Sequence, residues 1–146
     1  MEVLMVISIL AIIIAITMPN FSEFKKQQSL KTTKEDIISF LNEARNKTIS
    51  SKNGTAYGVR FESDKAILFP GDSYSSSILN KQIDFDNTVT IPSPGGINLT
   101  GGGSDVIFKR ITGDTINNGT IVIQLVSDPT KQKIININNL GVVSSN

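Results

Sequence analysis

The chain of 146 residues contains no His, no Cys and no Trp. Without His it lacks the commonest general base, the commonest metal ligand and the usual partner of a Ser or Cys nucleophile. Without Cys there is neither a disulfide framework nor a thiolate metal site. These absences argue against a hydrolytic or metal-dependent enzyme, and no cofactor site is expected. Aromatic residues make up only 6% of the chain, and residues 54–146 are near neutral, without a general nucleic-acid footprint. Charge is also scarce at the start. Residues 1–20 carry a single charge, Glu2, and no basic cluster precedes the apolar run as it would in a secretory signal.

What is present is a sixteen-residue apolar run from Val3 to Met18, interrupted only by Ser8 and Thr17. It is apolar all round, which excludes a surface helix. As a helix it would cover about 24 Å, between a signal-peptide core and a full membrane span. No small-x-small cleavage site follows, and helical periodicity resumes after Pro19. A membrane helix over 1–20 is therefore expected, with a simple membrane anchor as the alternative.

Pro19 lacks an amide hydrogen and is expected to kink or locally melt the helix. Residues 21–53 then read as an amphipathic helix. Phe21, Phe24, Leu30, Ile37, Leu41, Ala44 and Thr48 share one face, widened by Ile38 and Ile49. Lys25, Lys26, Lys31, Lys34 and Glu35 supply much of the opposite face, read as solvated. Thr33 with Asp36 forms a local capping box that allows a break there, and Asn53-Gly54 stops the helix.

Beyond Gly54 the period becomes strand-like. Expected strands are 56–61, 65–69, 83–85, 89–91, 106–110, 120–126, 133–137 and 142–143, with turns at Asn118-Gly119, Asp128-Pro129 and Asn139-Leu140-Gly141. Residues 71–77 and 93–105 are rich in Gly, Ser and Pro and read as loops. The expected fold is α+β: a long N-terminal α-helix packed against antiparallel β-sheets, with 54–146 as a β-rich globular head.

Glu2 ahead of the run, the seventeen-residue interval to Pro19, and Asn20-Phe21 after it resemble the N-terminal signature of type IV pilins and pseudopilins. Phe40 to Arg45, Ala56 to Phe61, Thr120 to Leu125, Lys133 to Ile137 and Gly141-Val142-Val143 resemble the minor pseudopilins of the GspH/FimT type. The resemblance implies the pilin fold and a structural role as a minor pseudopilin or minor pilin, in type II secretion or a type IV pilus, acting in filament initiation or tip assembly. It implies a leader and lead-in upstream of Met1, cleavage and methylation by prepilin peptidase, and an inner-membrane assembly platform as partner. The implied location is the bacterial inner membrane, single-pass, with the head outside. Glu2 would set subunit register by pairing with the N-terminal ammonium of a neighbouring pilin, and Pro19 would be the helix kink.

Several motifs yield to plainer readings. The glycines at 95–103 precede no Lys-Ser/Thr and open no helix, so they are no phosphate loop. Asp84, Asp86 and Asn87 are oxygen donors suited to calcium, but alternating acids of this kind are ordinarily solvated. Sequons at Asn20, Asn46, Asn53, Asn98 and Asn118 are read as chance in a chain rich in Asn, Ser and Thr. DNA binding during natural uptake is the alternative function. It is disfavoured because nothing basic follows Lys133, and in the head only Lys109-Arg110 are adjacent.

Overall fold

The computed structural model describes residues 2–50 and 54–145, with residues 15–20 described by backbone alone. One helix, α1, runs unbroken from Glu2 to Ile49. Its backbone stays helical through Pro19, so the helix does not melt there, and it passes through the Thr33–Asp36 site without a break. Thr33 is buried against the head, so packing rather than local capping decides its conformation. The last i→i−4 bond is Ser50 N–H to Asn46 O at 2.9 Å. Gly54, at φ +64°, takes the left-handed turn into the head, while Asn53 lies outside the described residues.

The buried face of α1 consists of Leu30, Thr33, Ile37, Phe40, Leu41, Ala44 and Thr48, at three- and four-residue spacing. Phe21 and Phe24 were expected on this face but are 62% and 65% exposed. At about 100° per residue these two rings lie far round the helix from the Leu30–Ile37–Ala44 face, whose downward continuation is the half-buried Glu23 and Lys26. Thr48 fastens the upper end: its hydroxyl donates to Ala44 O at 2.8 Å and accepts from Tyr57 N–H at 2.9 Å.

The head has two antiparallel sheets. In the first, β3 (Lys81–Asp84), β2 (Lys65–Pro70), β1 (Tyr57–Phe61) and β6 (Asp105–Ile107) lie side by side in that order. In the second, β7 (Gly119–Leu125) is central, with β8 (Gln132–Ile137) and β9 (Val143–Ser145) on one side. The other edge of β7 is shared by β4 (Val89–Thr90) near its end and β5 (Ile97–Leu99) near its start. Between them Val122 N–H reaches Gly96 O at 2.7 Å, so the ladder continues across the interruption.

Helix α1 lies over both sheets, touching chiefly β1, β7 and β8. Alternation along β7 turns Ile121, Ile123 and Leu125 inward, and β8 adds Ile135 and Ile137. From the first sheet Val59, Phe61, Leu68 and Val106 complete the core. Each such side chain contributes about 1.5–3 kcal/mol when fully buried. The first sheet is covered on its other face as well: Phe69 is fully buried, and the Tyr74 ring of the 71–80 loop meets it edge-on at 5.5 Å.

Three strand expectations are corrected. Residues 97–99, read as loop, form β5. The edge strand β3 begins at the polar Lys81 rather than at Ile83 and stops before Phe85. Gly119, read as a turn, opens β7 opposite Ile137 and Leu99.

Candidate assembly helix and basal groove

Glu2 stands in the first turn of α1, where the helix dipole favours a carboxylate. The side chains from Val3 to Ile14 are exposed around the whole circumference, the larger apolar ones by 52–71%. Ser8, the one polar residue among them, donates its hydroxyl to Leu4 O at 2.7 Å. Its donor is thereby satisfied within the helix, which suits an apolar environment. The backbone at Pro19 is helical, while its side chain is outside the description. Among the described residues, no helix is long and apolar enough to cross a membrane.

Where α1 enters the head, ion pairs replace apolar packing. Glu23 accepts from Lys26 Nζ and from Lys131 Nζ, both at 3.0 Å. Lys26 first and then Lys131 hold the Glu23 carboxyl below its usual range, and Glu23 holds the Lys131 ammonium above its own. Higher on the helix, Glu43 bridges Lys47 at 2.7 Å and Lys81 of β3 at 2.8 Å. These contacts tie the helix to both sheets at surface positions that packing leaves open.

A groove of about 560 Å³ opens between α1 and the start of β8. Four lysines converge on it: Lys31 and Lys34 from the helix, Lys131 and Lys133 from the other wall, with Phe24 and Leu30 as apolar lining. No carboxylate lines it. Lys131 is committed to Glu23 and Asp128, whereas Lys31, Lys34 and Lys133 have no ion-pair partner among the described residues. The cleft on the other side of the helix is mixed, with Lys25 and Lys26 facing Asp86. Sequence periodicity placed Lys31 and Lys34 on a solvated face. It could not bring Lys133, a hundred residues away, to the same place.

At the far end of the head, Arg45 clamps two loops. Its Nε donates to Gly113 O at 3.3 Å and one terminal nitrogen donates to Leu140 O at 3.2 Å. The acids considered for calcium do not gather. Asp86 accepts from the Thr88 N–H at 2.9 Å and hydroxyl at 2.6 Å, and Asp84 accepts from Gln82 at 3.1 Å. Among the described residues no group of three acids could hold a metal ion.

A long, partly uncovered helix that carries a two-sheet antiparallel head along its second half defines a pilin-like fold. Two solved structures share it. One is the type IV minor pilin FimU of Pseudomonas aeruginosa, at 16% identity and TM-score 0.58, covering 80% of this chain and 92% of that one. The other is the minor pseudopilin EpsH from the type 2 secretion system of Vibrio cholerae, at 13% identity and TM-score 0.54, covering 81% of this chain and 96% of that one. No family model and no curated protein matches the sequence. The fold is thus that of minor pilins and pseudopilins, as the N-terminal signature and the strand order led one to expect.

Proposed function

We propose that this chain is a structural, non-catalytic subunit of a pilin-type filament, a minor pseudopilin or minor pilin acting in filament initiation or at the tip. The observation that carries the proposal is the division of α1. Its face from Leu30 onward is buried by the head, while the described apolar side chains from Val3 to Ile14 are exposed on every side. A soluble monomer rarely leaves so large an apolar surface open. Held in the inner membrane by its apolar run as a single-pass anchor, the helix would be solvated by lipid. Extracted by the assembly platform, it would bury the same surface against other pilin helices. Nothing need react, because both environments satisfy one apolar cylinder whose backbone bonds are internal.

Glu2 has the register role in this mechanism. A carboxylate at the edge of an apolar helix is costly unless paired, and the N-terminal ammonium of a neighbouring subunit is the cation at that level. Pro19 supplies a missing backbone bond where the helix leaves the membrane, so bending there is cheap. The intact mass and N-terminal sequence of the protein from native membranes test the reading. A mature N-terminus a few residues before Glu2, carrying a methyl group, is expected from prepilin peptidase. A chain starting at unprocessed Met1 would favour a simple anchor.

A further inference from the structure

We infer that the lysine groove at the base of the head is a binding site for an anionic phospholipid headgroup, which seats the head on the membrane surface before assembly. The inference rests on the membrane-anchored reading above.

Three observations converge on it. The first is charge: four lysines and no carboxylate line one groove, two from the helix and two from a head whose other charged residues are five basic and eight acidic. The cleft across the helix, by contrast, has Asp86 to offset its lysines. The second is availability. Lys31, Lys34 and Lys133 have no ion-pair partner among the described residues, so their ammonium groups are free to bind a phosphate. Lys131 is already neutralised by Glu23, which fixes that wall of the groove.

The third is position. The groove opens where the uncovered part of α1 enters the head, and the 65%-exposed Phe24 forms its lower lip. An aromatic residue at the end of an apolar helix sits at the lipid–water interface. Lys31 is seven residues beyond Phe24, about 10 Å along the helix, within the headgroup layer plus a Debye length. Phe24 and Leu30 give the site an apolar floor for the glycerol region, and the lysines ring it for the phosphate. Duplex DNA would present the same phosphates but requires an extended basic track. Here the lysines are gathered in one recess beside the anchor.

The test uses the full chain with Ser127→Cys, an exposed turn position in a chain with no other cysteine. A fluorophore there reports the distance of the head from a lipid-borne acceptor. The chain is reconstituted into phosphatidylcholine vesicles with and without phosphatidylglycerol. The expected result is closer approach in the anionic vesicles, reversed by high salt. Combining Lys31→Gln, Lys34→Gln and Lys133→Gln should abolish that approach with the melting temperature unchanged. Each lysine should be worth about fivefold in apparent lipid affinity. Lys109→Gln with Arg110→Gln should leave it intact. Equal approach in both vesicle types, or a response that survives the triple substitution, would overturn the groove while leaving the anchor in place. A chain that fails to enter either vesicle would overturn both. Lysine-dependent capture of duplex DNA in detergent, without a lipid response, would overturn the lipid assignment in favour of nucleic acid.

Discussion

Gly141 has φ +71°, and a Cβ there would run into the Gly113 carbonyl oxygen and crowd the Arg45 guanidinium. Gly102 has the same backbone, φ +70°, but open space around it. Gly102→Ala should therefore cost about 1 kcal/mol of strain alone. Gly141→Ala should cost at least about 2 kcal/mol, because overpacking adds to the strain. Urea midpoints of the two variants check the difference. Arg45→Ala strips donors from two loop carbonyls and should cost about 1–3 kcal/mol by the same measurement. The acid side of the stability profile belongs to the carboxylates. Lys47 first, then Lys81, hold Glu43 below its ordinary 4.5. Because it titrates lower folded than unfolded, its ion pairs contribute stability above pH 4.5 and lose it as pH falls through the depressed value. Glu43→Gln should flatten that part of the curve and leave the profile above pH 6 parallel to wild type, with the difference shrinking in high salt.

At the scale of elements, α1 is one helix with a stretch buried by the head and a stretch exposed, and substitutions should separate them. Leu41, fully buried where α1 packs on the head, should cost about 2–5 kcal/mol as Leu41→Ala. Phe24→Ala, at the edge of the basal groove, should change head stability by less than about 0.5 kcal/mol, since little of its surface is buried. Thermal unfolding of both variants measures the contrast. This division also marks the limit of what the sequence reveals. Periodicity identified the face from Leu30 to Thr48 but wrongly extended it to Phe21 and Phe24, which lie elsewhere round the helix and are exposed. The hairpins β1–β2 and β7–β8 were legible because each alternates strongly around a short polar turn. β5 was not, because Ile97-Asn98-Leu99 is three residues set among glycines, and its strand character comes from pairing with β7 rather than from propensity. β3 was displaced because Lys81 and Gln82 are polar, as an exposed edge strand permits. The Glu2-to-Pro19 signature was visible because its residues are local. The groove was invisible because its lysines come from opposite ends of the chain.

Across the whole molecule, apolar surface is divided between a closed core in the head and an open cylinder below it, joined by a ring of lysines and ion pairs. The proposed function is the movement of that open surface between lipid and other pilin helices. That movement does not require Glu2 for membrane residence, only for alignment during assembly. Recovery of the chain in the purified filament fraction of its native host, for wild type and Glu2→Ala side by side, therefore tests the account most directly. The account predicts that both proteins are found in the membrane fraction and that only wild type enters filaments. Equal incorporation of Glu2→Ala would contradict the register role. Absence of the wild-type chain from filaments would contradict the proposal that this helix is an assembly stalk.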